Sequence, residues 1–343
     1  MIQNRRNFLK TTALAGAAAA ASTVLARPAP AEARGHAPDT SGTQPMARGM
    51  TFATLSVGGR YNLGIRTPRG ILNVTAAEQA FKEKAPISIG GVLMGRGDIS
   101  GLQRLIAKAE ASPDSAKYFV AEDKAKFGPA VTRPEKILCV GLNYRKHAAE
   151  TGQPVPKMPI LFNKFNTALN SPGGTIAVSK IEAEKFDYES ELVIVIGRAG
   201  RNIGEADAMA HIFGYCAGHD FTARDLQSRS SQWMLGKACD GFAPLGPWLV
   251  TADLADGDNL KIETRVNGQV RQSSNTSDMV FNCKQLVSYA SKYFTLAPGD
   301  IIFTGTPEGV ISGYPKDKQV WLKPGDKLVT TIEKLGDLSF TLT

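Results

Sequence analysis

Hydrophobic and polar residues alternate along residues 51–73, a pattern typical of strands that bury one face. A Thr-Pro-Arg-Gly stretch at 67–70 interrupts this alternation and favours a turn. Apolar residues at helical spacing then predict two helices, at 76–83 and 99–111. No motif typical of a catalytic site occurs in this part of the sequence, and we predict that residues 49–131 form a small α/β accessory domain.

After residue 131 the pattern changes to short runs of β-branched and apolar residues between Gly- and Pro-containing loops, which predicts mainly strands. An Asn-Gly pair at 267–268 predicts a hairpin, because these residues accept the positive φ angles of a type I′ turn. An apolar pattern of helical period at 280–294 predicts one helix. The expected fold class is α+β and β-rich, with residues 132–343 as the main domain. The predicted strands of that domain lie at 137–140, 192–196, 212–218, 261–266, 301–304, 326–332 and 338–342.

The N-terminus combines a charged, an apolar and a cleavable segment. Arg5-Arg6 precede Phe-Leu-Lys, and an Ala-rich stretch follows at 11–26. This stretch is shorter than the about 20 apolar residues of a membrane-spanning helix, so residues 1–31 are predicted to be a cleaved signal peptide. The paired arginines resemble a twin-arginine signal and predict a periplasmic protein without stable membrane insertion, a cytoplasmic protein being the alternative. Residues 32–48 are predicted to be a disordered linker.

Charge and cysteine usage limit the classes of partner. The formal net charge is +8, but four basic residues and no acidic residue lie within 1–31, which leaves a surplus of +4 in the rest of the chain. Such a small surplus, without a basic run, argues against nucleic acid as a partner. The four cysteines form no CxxC motif, so the sequence predicts buried, reduced thiols, while one disulfide stays open as an alternative.

Two acidic residues, Glu189 and Glu191, open an apolar run that predicts a buried strand. Alternate side chains of a strand share a face, so the two carboxylates should point the same way and repel each other. A nearby cation would offset the repulsion and the cost of burial, whereas the alternative is a solvated strand end. Asp220 follows a second predicted strand, at 212–218, and precedes a predicted helix at 222–229. Three carboxylates form an oxygen ligand set that suits Mg²⁺, Mn²⁺ or Ca²⁺ better than zinc.

Four further residues, in three segments of the chain, could carry chemistry. His147 and Glu150 lie three residues apart, so a helical turn would place them on one face as a general base for water, or as a simple surface ion pair. Lys237 lies in a Gly- and Pro-containing loop, where its charge could stabilise negative charge that develops on a substrate oxygen. The alternative is an ordinary surface lysine that contributes to solubility. Thr306, in a Gly-Thr-Pro-Glu-Gly segment, could bind a carboxylate or belong to an ordinary turn.

Together these segments resemble the fumarylacetoacetate hydrolase family over residues 133–343. The resemblance depends on the order of six motifs more than on any single one. They are Gly-Leu-Asn-Tyr-Arg-Lys-His-Ala-Ala-Glu (141–150), Asp-Tyr-Glu-Ser-Glu-Leu (187–192), Asp-Phe-Thr-Ala-Arg-Asp-Leu-Gln (220–227), Gly-Lys-Ala-Cys-Asp (236–240), Asn-Thr-Ser-Asp-Met (275–279) and Pro-Gly-Asp-Ile-Ile-Phe-Thr-Gly-Thr-Pro-Glu-Gly-Val (298–310).

The resemblance implies a mixed β-sandwich roll for the catalytic domain, residues 132–343, and a homodimer. It also implies a resident Mg²⁺ or Mn²⁺, with Ca²⁺ as an alternative. The implied site consists of metal ligands at Glu189, Glu191 and Asp220, catalytic groups at His147, Glu150 and Lys237, and substrate contacts at Gln227, Thr306 and Arg224.

The activity implied by the resemblance is metal-dependent hydrolysis of a carbon–carbon bond in a small β-diketo or 2-oxo acid, such as an acylpyruvate. We predict hydrolysis because the His–Glu pair that would activate water is intact. Isomerisation or decarboxylation of a 2-hydroxy-diene-dioate in aromatic catabolism is the alternative, since one site that stabilises an enolate can serve several reactions. A periplasmic 2-oxo-acid binding protein without turnover is the alternative from another class.

Overall fold

The computed structural model describes residues 45–343. The predicted signal peptide and residues 32–44 of the predicted linker lie outside the described residues. Ala47, near the end of that predicted linker, has 4% of its surface exposed and packs into a hydrophobic cluster. Within residues 45–343, no helix is both long enough and apolar enough to cross a membrane.

Strands dominate the described residues, as the sequence predicts. The strands are β1 Thr51–Val57, β2 Arg60–Thr67, β3 Gly70–Asn73, β4 Phe119–Val120, β5 Ile137–Gly141, β6 Ile160–Lys164, β7 Leu169–Asn170, β8 Thr175–Ile176, β9 Phe186–Asp187, β10 Ser190–Ile196, β11 Ile212–His219, β12 Thr222–Ala223, β13 Ala243–Pro244, β14 Trp248–Thr251, β15 Lys261–Val266, β16 Gln269–Asn275, β17 Ile301–Phe303, β18 Lys327–Ile332 and β19 Gly336–Leu342. The α-helices are α1 Val74–Phe81, α2 Ile89–Leu93, α3 Ser100–Ala111, α4 Arg145–Glu150, α5 Arg224–Gln227, α6 Met234–Lys237 and α7 Cys283–Ser291.

The largest sheet has ten strands in the order β4-β3-β2-β1-β14-β11-β10-β17-β5-β6. It is mixed, because β17 and β5 run parallel while its other neighbouring strands are antiparallel. Strands β1–β4, which belong to the predicted accessory domain, join this sheet through the pairing of β1 with β14. The boundary between the two domains near residue 131 stays a prediction.

A second sheet has five strands in the order β16-β15-β18-β19-β8. Residues of both sheets share one hydrophobic cluster, so this sheet packs on one face of the first. The cluster between the sheets includes Ile194 of β10, Ile262 of β15 and Ile332 of β18. On the other face of the large sheet, Val193 shares a cluster with Leu102 of α3. Strand β10 is buried on both faces, which is why its run of apolar residues is continuous. Taken together, the sheets and helices confirm the β-rich α+β fold class.

Most of the predicted elements are present, including the hairpin, and three helices differ from the prediction. The hairpin at Asn267 and Gly268 forms with φ angles of 50° and 81° at these residues. The helix predicted at 280–294 is shorter, because a capping box at Asn282 starts it at Cys283 and it ends at Ser291. A helix expected after Asp220 is only the four-residue α5, since Thr222–Ala223 pair with β9 as a strand. The five-residue α2 is an element that the sequence pattern missed.

All four cysteines are free, which confirms the prediction of reduced thiols in the described residues. Cys139, Cys216 and Cys283 are buried, whereas Cys239 is half-buried. Burial raises the pKa of the three buried thiols, so they stay protonated and pack as small apolar groups.

Candidate active site

Three carboxylates meet where two neighbouring strands of the large sheet end. Glu191 belongs to β10, Glu189 immediately precedes this strand, and Asp220 immediately follows β11. Strands β10 and β11 pair with Ser190 opposite His219, so their ends lie side by side. One carboxylate oxygen of each acidic residue lies within 4.8 Å of the others, and the residues are 5%, 1% and 0% exposed. The fold therefore brings the three predicted metal ligands together.

Basic side chains surround two of the three carboxylates. The Lys237 Nζ lies 2.7 Å from Glu189 Oε2 and 2.8 Å from Asp220 Oδ2. The Arg224 Nη1 lies 2.7 Å from Glu189 Oε1, and the buried Lys164 Nζ lies 2.5 Å from Asp220 Oδ1. Among residues 45–343, no ammonium or guanidinium group forms an ion pair with Glu191, which accepts a hydrogen bond from the backbone N–H of Gly305 at 2.7 Å. Negative charge is thus least compensated at Glu191.

The titration of these groups follows from this arrangement. Burial, with the charges of Asp220 and Glu189, raises the pKa of Glu191 well above its ordinary value. Burial also acts to raise the pKa of Glu189, but Lys237 and Arg224 outweigh it and lower that pKa to about 2. For Lys237 burial acts to lower the pKa, yet the neighbouring carboxylates raise it overall. Lys237 is therefore a fixed positive charge and a hydrogen-bond donor, not a base.

The donor set fits a divalent cation. Asp220 Oδ1 is buried and accepts no hydrogen bond among the described residues, since its contact with Lys164 lacks hydrogen-bond geometry. Glu191 lacks a positive partner, and an ion between the three carboxylates would supply one. Buried carboxylate oxygens are the ligands that Mg²⁺ and Mn²⁺ prefer, and no nitrogen or sulfur ligand of the kind that zinc prefers belongs to this cluster.

The predicted His–Glu pair forms on α4. His147 is 6% exposed, and its Nδ1 lies 2.7 Å from Glu150 Oε1. The second oxygen of Glu150 accepts a hydrogen bond from the backbone N–H of Gly309 at 2.8 Å, which fixes the carboxylate from the other side. A carboxylate at Nδ1 favours the tautomer that carries its hydrogen there. The Nε2 atom of His147 is then free to accept a proton.

Asn143 fixes the start of this helix and was not predicted as a site residue. Its Nδ2 donates to the carbonyl oxygens of Phe281 and Thr304 at 3.0 and 2.8 Å, and its Oδ1 accepts from Phe281 N at 2.9 Å. A fully bonded, buried amide of this kind holds one backbone position. The helix that carries His147 is therefore held against the end of β17.

A cavity of about 370 Å³ lies next to the carboxylates of Glu189 and Glu191 and is lined by most of the predicted site residues. Asp220 and Glu150 do not line this cavity but contact residues that do. The predicted site residues in the cavity wall are His147, Glu189, Glu191, Arg224, Gln227, Lys237 and Thr306.

The Thr306 hydroxyl is engaged within the protein. It donates to the carbonyl oxygen of Ser190 at 3.0 Å and accepts from Gln272 Nε2 at 2.9 Å. Its single hydrogen is therefore used, and a substrate carboxylate would have to displace Ser190 to receive it. The role of Thr306 as a carboxylate anchor stays a prediction. The two hydrogen bonds argue against the Thr306 hydroxyl as the group that would bind the carboxylate.

Gln272 links the metal-ligand strand to the Thr306 loop and was missed by the sequence reasoning. Its Oε1 accepts from Ser190 N at 3.1 Å and from Thr264 Oγ1 at 2.7 Å. Its Nε2 donates to Thr306 Oγ1 and to the carbonyl oxygen of Pro307, at 2.9 and 2.8 Å. Since Ser190 lies between the two glutamates, Gln272 positions both of them. Gln272 lies in a hairpin strand of mostly polar, exposed residues, so the sequence pattern did not indicate that it is buried at the site.

Replacing Gln272 by leucine should therefore lower both stability and metal affinity. We expect the free energy of unfolding to fall by about 1–3 kcal/mol, because several buried polar groups lose their partner. We also expect weaker divalent-metal binding, measured by calorimetry. The backbone of Ser190, which lies between the ligands Glu189 and Glu191, would lose its hydrogen bond to Gln272 Oε1. Gln269→Leu, at an exposed position of the same strand, is the matched control and should change neither quantity. Unaltered metal affinity in Gln272→Leu would limit Gln272 to a structural role.

Two charged residues also escaped the sequence reasoning. Lys164 is fully buried and donates to the carbonyl oxygens of Phe242, at 3.0 Å, and Lys237. Asp187 accepts from Arg224 Nε at 2.8 Å and thereby orients the guanidinium toward Glu189. Asp187 lies in one of the six motifs, which was the available signal, whereas Lys164 ends an ordinary strand and offered none.

Comparison with known proteins adds the family. Residues 136–343 match the description "Fumarylacetoacetate (FAA) hydrolase C-terminal". Residues 3–22 match the signal sequence of the twin-arginine translocation pathway, which confirms the predicted export by this route and the periplasmic localisation.

Similar proteins include a curated relative and two solved structures. An oxaloacetate tautomerase, fahd2 of Xenopus laevis mitochondria, is 45% identical over 234 residues, or 67% of this chain and 72% of the relative. A putative HpcE protein from Mycobacterium smegmatis is 31% identical with a TM-score of 0.71, covering 86% of this chain and 99% of that one. A fumarylpyruvate hydrolase from Pseudomonas aeruginosa, solved with Mn²⁺ and pyruvate, is 32% identical with a TM-score of 0.55, covering 65% and 92%.

The family match covers more than half of the chain and includes all nine predicted site residues. The solved structures share its mixed β-rich fold, which confirms the expected fold type. On these grounds the chain belongs to the fumarylacetoacetate hydrolase family, whose enzymes act on small molecules.

Proposed function

We propose that this protein is a divalent-metal-dependent enzyme that interconverts the keto and enol forms of a small 2-oxo acid of the oxaloacetate type. The observation that carries the proposal is the convergence of Glu189, Glu191 and Asp220, below a cavity that also contains the His147–Glu150 pair. The 45% identical relative named as an oxaloacetate tautomerase supports this choice of reaction.

The three carboxylates would hold Mg²⁺ or Mn²⁺, with Ca²⁺ as an alternative, and their geometry as an oxygen cluster supports this role. When bound, such an ion supplies Lewis-acid stabilisation of negative charge on the oxygens of the substrate. Lys237 adds a second positive charge at the same place, because two carboxylates keep it protonated. Two of its three N–H groups bond to these carboxylates, and the third can donate to a substrate oxygen.

His147 is the group in the cavity that can move a proton. With Nδ1 bonded to Glu150, its Nε2 can remove a proton from the carbon next to the 2-oxo group, and the imidazolium so formed can deliver this proton to the 2-oxo oxygen, which gives the enol. The reverse direction retraces both transfers. Arg224 Nη2 is buried and has no hydrogen-bond partner among the described residues, so its two N–H groups can donate to a substrate carboxylate. Gln227 lines the same wall and accepts from Arg224 Nη1 at 3.1 Å, which steadies the guanidinium.

Hydrolysis of an acylpyruvate is the second candidate function. The same His147–Glu150 pair could take a proton from water, which would then attack the distal carbonyl and break the bond between carbons 3 and 4. The likeness to a fumarylpyruvate hydrolase supports this candidate. Isomerisation or decarboxylation of a 2-hydroxy-diene-dioate needs no activated water and is the remaining enzymatic alternative. A protein that binds 2-oxo acids without turnover is the alternative from another class.

One experiment separates these candidates. The purified protein is given oxaloacetate and acetylpyruvate with Mg²⁺ or Mn²⁺, the ultraviolet absorbance of the enol is followed, and products are identified by NMR. We expect faster approach to keto–enol equilibrium, no product beyond those of a protein-free control with the same metal, and loss of this activity with a chelator. Acetate and pyruvate formed from acetylpyruvate would instead identify a hydrolase, and carbon dioxide released faster than in that control would identify a decarboxylase. Binding of both acids without any turnover would refute the enzyme proposal.

The homodimer and the absence of a nucleic-acid partner stay predictions. We propose the dimer from the family resemblance alone, and light scattering of the purified protein measures it. A mass close to that of one 36.7 kDa chain would contradict it.

A further inference from the structure

Two aromatic residues form a corner of the cavity that no step of the proposed reaction uses. Phe162, on β6, and Trp233, just before α6, both line the cavity, and their ring centroids lie 5.4 Å apart at 74°. The ammonium group of Lys237 lies 5.4 Å from the centroid of Phe162. The corner thus lies beside Lys237, whose Nζ also contacts the carboxylates of Glu189 and Asp220.

The backbone leaves room for this corner. A Cβ atom on Gly141 would lie 2.5 Å from the Trp233 ring, so the indole occupies space that any other residue at 141 would fill. Trp233 and Phe162 are only half-buried, although large aromatic side chains gain most from full burial. Both side chains line the cavity, so a ligand there that covers part of their exposed apolar surface would gain free energy from removing it from water.

Size and charge describe what could cover this surface. The cavity volume of about 370 Å³ lies in the range of about 300–1,000 Å³ that is typical of pockets for drug-sized ligands, more than a four-carbon acid needs. Its two permanent cations, Lys237 and Arg224, are both paired with carboxylates of the site. Val140, Gly141 and Leu142, which line the cavity together with Phe162 and Trp233, carry no charge, and Lys237 is the cation beside the corner.

We propose that this site accepts, besides a four-carbon acid such as oxaloacetate, a 2-oxo acid whose far end carries an uncharged, planar, apolar group, and that Phe162 and Trp233 bind this group. The inference rests on the proposed function, since it assumes that the carboxylate cluster receives the 2-oxo acid end. The cation beside the corner, Lys237, already pairs with Glu189 and Asp220, so a second carboxylate in the corner would compete with them for its charge. An aromatic ring there could stack or pack edge-to-face against both side chains.

Two unreactive probes test binding without turnover. Oxamate carries a carbonyl next to a carboxylate, as a 2-oxo acid does, and oxanilate adds a phenyl ring to the amide nitrogen. Both are titrated calorimetrically into the full chain in the presence of Mg²⁺. We expect the Kd of oxanilate to be lower by about tenfold or more, because the phenyl ring is removed from water.

Variants assign the preference to the corner. Trp233→Ala should bring the two Kd values within about twofold of each other, and Trp233→Phe should give an intermediate ratio because it keeps a smaller ring. Tyr293→Ala removes a comparable aromatic ring at a position that is 59% exposed and outside this cavity, and it should retain the wild-type ratio. In kinetics, Trp233→Ala should lower kcat/KM for benzoylpyruvate by about tenfold and change that for oxaloacetate by less than about threefold.

The outcomes separate this inference from the proposed function. If the wild-type protein binds oxamate and converts oxaloacetate but gains nothing from the phenyl ring, only the aromatic subsite is refuted. An oxanilate preference that persists in Trp233→Ala would likewise overturn the assignment to this corner. If neither probe binds and no 2-oxo acid is converted, the proposed function fails and the inference with it.

Discussion

Replacing Glu191 by glutamine should abolish tight divalent-metal binding and leave the metal-free protein at least as stable as the native one. Burial and two neighbouring carboxylates raise the pKa of Glu191, so the metal-free protein favours its neutral form. Glutamine resembles that neutral form in size and can still accept the hydrogen bond from Gly305 N. Removing one charged ligand should cost more than the about 10–100-fold in metal affinity that is typical of residues outside the ligand set.

Calorimetric titration with Mn²⁺ and thermal unfolding with and without the metal measure this contrast. The native protein should gain thermal stability with metal, by an amount that depends on the ratio of metal concentration to Kd, and Glu191→Gln should gain little. Glu333→Gln, an exposed acidic position on a turn, is the matched control and should behave as the native protein. Native metal affinity in Glu191→Gln would remove this residue from the site, and a strongly destabilised metal-free variant would show that its charge is structural.

Replacing His147 by alanine should lower kcat by about 10²- to 10⁴-fold, the range that a positioned general base contributes. The metal should still bind, because His147 does not belong to the carboxylate cluster. Glu150→Gln should lower kcat less, since the glutamine can still contact Nδ1 but no longer stabilises positive charge on the ring. The two substitutions therefore distinguish proton transfer by His147 from stabilisation of the charged imidazole ring by Glu150.

Steady-state kinetics with the preferred 2-oxo acid, together with Mn²⁺ titration, provide the measurement. Lys146→Ala is the control, because Lys146 lies on the same helix, is 64% exposed at its side chain and makes only a 3.6 Å contact with Glu308. Its turnover should match that of the native enzyme within about twofold, as expected for an exposed ion pair. A His147→Ala variant with native kcat would exclude His147 as the proton-transfer group, whichever reaction the enzyme performs.

The sequence by itself determined the local structure and the types of residue in the site. Strands such as β1 and β10 and the hairpin at Asn267 follow from hydrophobic periodicity and turn chemistry, which act over a few residues. The pairing of Glu189 with Glu191 on one side of an apolar strand, and of His147 with Glu150 on a helical turn, could be predicted for the same reason.

The tertiary structure decided which of these residues meet and how they are charged. Asp220 joins the two glutamates only because β10 and β11 pair in one register, and a shift by one residue would turn the side chains to the other face. Lys164 and Gln272 reach the site from strands far apart in the chain, and the aromatic corner joins Phe162 to Trp233 across 71 residues. Periodicity describes which face of an element is buried, but not which other element covers that face. The positive partners, the pKa of Glu191 and the apolar end of the cavity therefore depend on packing between distant segments, which no local pattern encodes.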